Sequence, residues 1–361
     1  MPSLPFLAPG RSRRRSVRLF GKKAMDSTHR SKALQKGKHE CRHDGVEVGV
    51  HCCLTAIVSS FKNTKFGYLA AIKRHKMKLS LFNISNFRVD GGAMFGVIPK
   101  ALWSRQVKSD ENNTIELSLT SLIIETEGRV ILVDSGWGDK QDEKFFRHAY
   151  LSGGSGLAGG LANAGYGPGD ITDVIITHLH ADHCGGCFVK APGGGTAPLF
   201  PNAIYHISRA QWEWANESNL REEDAFLPEN IRPFGENEKL NLVDEPGELF
   251  PGVSLRICYG HTPGLMLPVI SCNGKTLVYT GDLIPTIAHL PLLWNMAYDI
   301  LPLVTIAEKQ EILQEALMND WLLMFQHDPD HECCALTETP KGIRAGKKGK
   351  LAELTGVVSP G

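Results

Sequence analysis

Apolar positions along the chain fall into short blocks with a period of two, separated by turn residues. Leu79-Ser80-Leu81-Phe82-Asn83-Ile84 alternates and predicts a strand. Residues 115–125 and 128–133 predict a hairpin closed by Glu127-Gly128. The run Ile171-Thr172-Asp173-Val174-Ile175-Ile176 is apolar and rich in β-branched residues, which predicts a buried strand. Residues 203–207 predict another strand, followed by a helix over 208–217 with Ser208 as its cap. Residues 253–259 predict a strand, and 267–272 with 276–279 a hairpin around Asn273-Gly274. The period then changes. Ile306, Ile312, Leu313, Ala316 and Leu317 mark an amphipathic helix over 306–321, and 322–325 returns to a strand. Residues 142–150 predict a short helix.

Other stretches carry little pattern. Residues 90–97 and 153–169 are Gly-rich and predict loops. Residues 218–250 are polar with scattered apolar anchors and suggest a helical flap. The last twenty residues are basic and Gly-rich, as expected of a fraying end. Strands outnumber helices in each half of this α+β pattern, which argues for two packed sheets with helices outside.

Composition divides the chain. Its 361 residues are 42% hydrophobic and 22% charged, as in a soluble globular protein. The net charge of zero hides an asymmetry. Residues 1–76 hold 17 Lys and Arg against 4 Asp and Glu; the rest holds 22 against 35. Three organisations fit the basic segment: a transit peptide, a nucleic-acid-binding arm, or an extension upstream of a start at Met77. The last is favoured, because domain-like patterning begins immediately after Met77. His39, Cys41, His43, His51, Cys52 and Cys53 match no zinc-finger spacing. Nine cysteines without a framework spacing suit a reducing compartment, and no apolar run in the sequence approaches the roughly 20 residues of a membrane span. The expected division is an extension at 1–76, a catalytic domain at 77–340 and a tail at 341–361. The expected location is cytoplasmic, with organellar targeting by the extension left open.

Candidate chemistry lies in Thr177-His178-Leu179-His180-Ala181-Asp182-His183-Cys184-Gly185-Gly186, between a strand and a turn. His178 and His180 are two apart, so on extended backbone their rings point the same way and can share one metal. Asp182 and His183 follow where the chain turns and can face a second. Imidazole and carboxylate together suit zinc, with manganese, iron and cobalt as alternatives. Cys184 and Cys187 flank the cluster and suit small buried thiols better than a redox pair.

This stretch resembles the H-x-H-x-D-H signature of the metallo-β-lactamase superfamily. The superfamily's later ligands match in order: His261 in Gly260-His261-Thr262-Pro263-Gly264, Asp282 in Tyr279-Thr280-Gly281-Asp282, and His327 in Phe325-Gln326-His327-Asp328. Val133-Asp134-Ser135-Gly136 matches an earlier motif. The resemblance spans residues 78–336 and implies a four-layer αββα sandwich. It implies that His178, His180 and His261 bind one metal, that Asp182, His183 and His327 bind a second, and that Asp282 bridges them. A hydroxide between two zinc ions would be the nucleophile, and Asp182 could shuttle its proton. Asp134 would orient a metal-bound histidine.

The motifs around residues 91–96 and 281–285 look like the branch of quorum-quenching lactonases and organophosphate hydrolases. The implied substrates are a lactone, with N-acyl-homoserine lactones among them, an ester, or a phosphotriester. The resemblance leaves a homodimer open. Described N-acyl-homoserine lactonases carry a Tyr three residues after the bridging Asp, where this chain has Pro285. Tyr298, or else His289, is the candidate for the missing donor. Phe95, Met94, Trp103 and Trp294 are candidates for an apolar wall. A competing reading, a nucleic-acid-binding phosphodiesterase using the basic arm, is weakened by the acidity of the folded part. It predicts salt-sensitive nucleic-acid affinity that is lost when the arm is deleted.

Overall fold

The structure is a computed structural model that describes residues 77–217 and 219–356. Residues 1–76, with every expectation placed on the basic segment, lie outside the described residues.

Two sheets dominate. One contains β1 (Met77–Asp90), β2 (Thr114–Thr126), β3 (Arg129–Val133), β4 (Asp173–Ile175), β7 (Ile204–Ser208) and β8 (Leu240–Val243), in that order. A small ribbon, β5 (Phe188–Lys190) with β6 (Thr196–Pro198), stands apart. The other sheet contains β9 (Gly247–Phe250), β10 (Val253–Cys258), β11 (Leu265–Cys272), β12 (Lys275–Tyr279), β13 (Leu322–Met324), β14 (Cys333–Thr339) and β15 (Gly342–Gly349), side by side. The β2–β3 and β11–β12 hairpins turn by one device. Glu127 and Gly128 have φ of 45° and 78°, and Asn273 and Gly274 have 51° and 76°. Left-handed pairs of this kind match the twist of the strands they join.

Alternation along each strand assigns its faces. Leu122, Ile124, Ile131 and Val133 meet Leu277, Tyr279, Leu322 and Met324 between the sheets. Their neighbours Ile123 and Leu132 face outward under the helices Gly156–Asn163, Arg209–Asn216 and Pro228–Gly235. Val278 and Leu323 face outward under the helix Pro302–Met318. Both sheets are therefore buried on both faces, which gives four layers, helix–sheet–sheet–helix. Each such side chain contributes on the order of 1.5–3 kcal/mol by leaving water.

Several expectations change. Residues 342–355 do not fray: β15 pairs with β14, and Leu351 of the helix Leu351–Thr355 joins the core between the sheets. The folded unit therefore continues past residue 340. The stretch 153–169 contains the helix Gly156–Asn163, whose Leu161 is fully buried. Residues 219–250 hold turns, then one helix, Pro228–Gly235, followed by the edge strands β8 and β9. Residues 91–95 form a helical turn capped by Asp90, which accepts from the Ala93 N–H at 2.9 Å. In each case tertiary burial overrides a composition that reads as loop.

Candidate metal centre

The candidate residues gather where strands end. β3 and β4 run parallel, with Val133 beside Ile175; Asp134 follows one and Thr177-His178 the other. β12 and β13 run parallel, with Tyr279 beside Met324; Asp282 and His327 follow these. His261 follows β10. The two sheets meet here: Met266 N donates to Thr177 O at 2.8 Å, and Ser118 N donates to His327 O at 3.1 Å. A tight turn closes the His-rich loop. Gly138, at φ 69°, lies against the carbonyl of Gly185, and a Cβ on either glycine would strike backbone. Asp182 and His183 lie in the helical turn Ala181–Cys184 just before it.

The site nitrogens converge. His178 Nε2 is 3.0 Å and His261 Nε2 is 3.3 Å from His180 Nδ1. Asp282 divides its oxygens. Oδ2 lies 3.3 Å from His261 Nε2 and 3.9 Å from His178 Nε2; Oδ1 lies 3.0 Å from His327 Nε2 and 3.6 Å from His183 Nε2. Asp182 Oδ2 completes the second side, 3.5 Å from His183 Nε2 and 3.8 Å from His327 Nε2. The groups His178–His180–His261, His178–His183–Asp282 and Asp182–His183–His327 each bring ligand atoms within 4.8 Å of one another.

Every ring uses its other nitrogen elsewhere. Asp134 accepts the Thr177 N–H at 2.8 Å, the Thr177 hydroxyl at 2.7 Å, His183 Nδ1 at 3.0 Å and Gln326 Nε2 at 2.9 Å. Because the Thr177 hydroxyl proton goes to Asp134, His178 Nδ1, 3.1 Å away, must be the donor to Thr177. His180 Nε2 lies 3.2 Å from Glu222, whose carboxylate also accepts from Trp214 Nε1 and Asn219 Nδ2, both at 2.7 Å. His261 Nδ1 lies 3.0 Å from Asp299, and His327 Nδ1 2.9 Å from the Ser118 carbonyl. These contacts select tautomers that leave His178 Nε2, His180 Nδ1, His183 Nε2, His261 Nε2 and His327 Nε2 as lone pairs facing inward.

The electrostatics suit a cation held among these groups. Burial pushes His178 and His180 below the ordinary imidazole value. Burial also opposes charge on His183, His261 and His327. Nearby carboxylates outweigh it and raise all three: Asp182 and Asp282 at His183, and Asp282 at His261 and His327. Asp282 is held well below its ordinary range despite burial, chiefly by His327 and His183. Two buried atoms at the centre, His183 Nε2 and Asp282 Oδ1, make no hydrogen bond. Orphaned ligand atoms among imidazoles and carboxylates fit divalent metal of the zinc type.

A cavity of about 550 Å³ opens onto the centre and is lined by His180, Asp182, His261, Asp282 and His327. Its apolar wall is Phe87, Val89, Leu117, Trp137, Phe145 and Met296, with Met94. Phe95, Trp103 and Trp294 pack on one another behind it and do not line it. His289 is likewise packing. Its ring stacks on Phe95 at 4.7 Å, and its nitrogens meet Thr286 Oγ1 and the Met94 carbonyl, each at 2.8 Å. Tyr298 does line the cavity. Pro285 contributes its carbonyl, which accepts the His327 N–H at 3.1 Å. Cys184 and Cys187 are buried free thiols. Sequence reasoning missed Glu222 and Asp299. Each lies far along the chain from its histidine and carries no local motif. Among the described residues no helix is long and apolar enough to cross a membrane.

Comparison with known proteins agrees with this geometry. The profile of the metallo-beta-lactamase superfamily matches residues 116–327. A probable metal-dependent hydrolase from Staphylococcus aureus is 30% identical, with a TM-score of 0.69 over 77% of this chain and 99% of that one. The dizinc quorum-quenching lactonase AidC, bound to N-hexanoyl-L-homoserine, superposes with a TM-score of 0.64 over 78% of this chain and 97% of that one. At 21% identity that likeness concerns the fold. An N-acyl homoserine lactonase of Bacillus cereus is 32% identical over 176 residues, 46% of this chain and 63% of that protein. The chain thus spans about three-fifths of the length of that curated relative.

Proposed function

This chain belongs to the metallo-beta-lactamase superfamily, and from that premise we propose that it is a dinuclear zinc hydrolase that opens a lactone or an ester. The observation that carries the proposal is the division of Asp282, one oxygen toward each group of imidazoles. His178, His180 and His261 would hold one ion, and Asp182, His183 and His327 the other, with Asp282 shared. Metal bound by these residues would lower the pKa of a coordinated water and polarise a carbonyl oxygen.

The chain's own groups supply the rest. Asp182 lines the cavity beside His183 and His327, placed to take a proton from the attacking water and return it to the leaving oxygen. The apolar wall excludes water and accepts an acyl group. Tyr298 is 44% exposed; partial burial, then the charge of Asp182, raises its phenol above the ordinary value, so it stays protonated as a donor at neutral pH. Pro285 carries no hydroxyl, and its carbonyl is engaged by His327. We therefore expect broad chemistry on activated esters and several lactones rather than strict selectivity. A donor contributes about 10- to 100-fold in rate, so Tyr298→Phe should lower lactone turnover by that order with metal content unchanged.

A screen of lactones, aryl esters and phosphotriesters on zinc-loaded protein tests the substrate class. A preference for phosphotriesters would replace the lactone reading with that of a phosphotriesterase. Elemental analysis should find close to two zinc per chain. Full activity with one equivalent would end the dinuclear proposal.

A further inference from the structure

Arg221 is the one lysine or arginine among the residues lining the cavity, whose other side chains are apolar, acidic, the three candidate metal-binding histidines and Tyr298. Its backbone is held in place: Arg221 N donates to Asn219 Oδ1 at 2.9 Å, and the next residue, Glu222, is fixed to His180, Trp214 and Asn219. The base of the side chain is thus rigid with respect to the metal centre. One terminal nitrogen donates to the Ala297 carbonyl, beside Tyr298 on the opposite rim. Nε and the other terminal nitrogen have no protein partner among the described residues. A guanidinium has five donors in a rigid fork. Here one terminal nitrogen bonds to Ala297, and other donors remain free at the exposed rim of the cavity.

We propose that Arg221 is a specificity-determining residue, binding an oxygen acceptor carried by the substrate away from its scissile carbonyl. The acceptor is an amide carbonyl or a carboxylate; either accepts a guanidinium N–H, and the carboxylate adds charge. An apolar pocket takes its selectivity from a few placed polar groups, and Arg221 supplies one that the hydrolytic step does not use. Its bond to Ala297 also holds two segments across the cavity, so a purely structural role would affect every substrate alike. The proposal rests on the lactone-or-ester reading above.

The test compares γ-butyrolactone, which has no second acceptor, with α-acetamido-γ-butyrolactone and γ-carboxy-γ-butyrolactone. In Arg221→Met, kcat/KM for one acceptor-bearing lactone should fall about tenfold relative to the bare lactone, the effect of losing one charge-assisted hydrogen bond. Arg221→Lys should recover part of that ratio. The larger loss identifies the acceptor. Calorimetry of the corresponding hydroxy acids on zinc-loaded protein should show a matching weakening of binding. An unchanged ratio overturns the proposal, whether all rates fall together or none falls. If Arg221→Met does not fold, Arg221→Gln is read by the same ratio. If the wild type hydrolyses none of the lactones, the lactone reading fails, and the calorimetric comparison alone decides the role of Arg221.

Discussion

The candidate metal ligands are anchored in two ways, and this division cuts across the two groups of three, because His178 is held differently from His180 and His261. His178, His183 and His327 are held from the sheets: His183 by Asp134 at the end of β3, His178 by Asp134 through Thr177, and His327 by the Ser118 carbonyl on β2. His180 and His261 are held from the cavity rim. Their partners, Glu222 and Asp299, belong to the segments that also present Arg221 and Met296–Ala297–Tyr298 to the pocket. One side is tied to the most buried part of the fold. On the other, a change in the rim is transmitted to a metal ligand within one side chain. The ligands alone would suggest two equivalent halves; their partners separate a rigid base from an adjustable face.

The largest expected effect tests the rigid base. Asp134 is fully buried at φ 56° and accepts four hydrogen bonds. Asp134→Ala strands buried donors and should lower stability by about 3–5 kcal/mol, measured by urea unfolding of metal-free protein. A loss no greater than that of a rim variant would erase the contrast.

The adjustable face gives an intermediate effect. Glu222→Gln and Asp299→Asn should each weaken binding of the ion proposed for His178, His180 and His261 by about 10- to 100-fold, with less change at the second proposed site and little loss of fold. Chelator competition resolves the two ions. Equal weakening of both would mean that the sides act as one unit.

The smallest effect concerns pH. Burial depresses His289 to about 3, from an ordinary value of 6.5. Its geometry is that of a neutral ring, donating to Met94 O and accepting from Thr286. The unfolded chain therefore takes up a proton that the folded one refuses. The stability due to neutral His289 is complete above about pH 6.5 and is lost as pH falls from there toward 3. His289→Gln should flatten this part of the acid-unfolding profile at matched metal content. An unchanged slope would show that the rim loop is insensitive to this ring.

Much of the site was legible in the linear chain. His178, His180, Asp182 and His183 lie within six residues, and a strand followed by a turn brings them together without help from distant parts. His261, Asp282 and His327 could be read because each follows an apolar strand block and matches a superfamily motif. The hairpins at Glu127-Gly128 and Asn273-Gly274 were legible for a similar reason, since left-handed φ values restrict the residue types that fit. Local chemistry, local backbone geometry and hydrophobic period are properties of neighbours in sequence, so the sequence by itself determined them.

Tertiary structure alone decided the partners of those ligands and the shape of the cavity. Glu222 and Asp299 sit in irregular stretches, and their roles exist only once folding brings them to His180 and His261. Phe95, Trp103 and Trp294 have the composition of a pocket wall, yet stack on one another, while Phe87, Leu117 and Trp137 face the cavity. β15 forms from a basic, Gly-rich stretch because β14 offers it an open edge. Burial and hydrogen-bond satisfaction are settled among groups far apart in the chain, and no reading of period or composition reaches them.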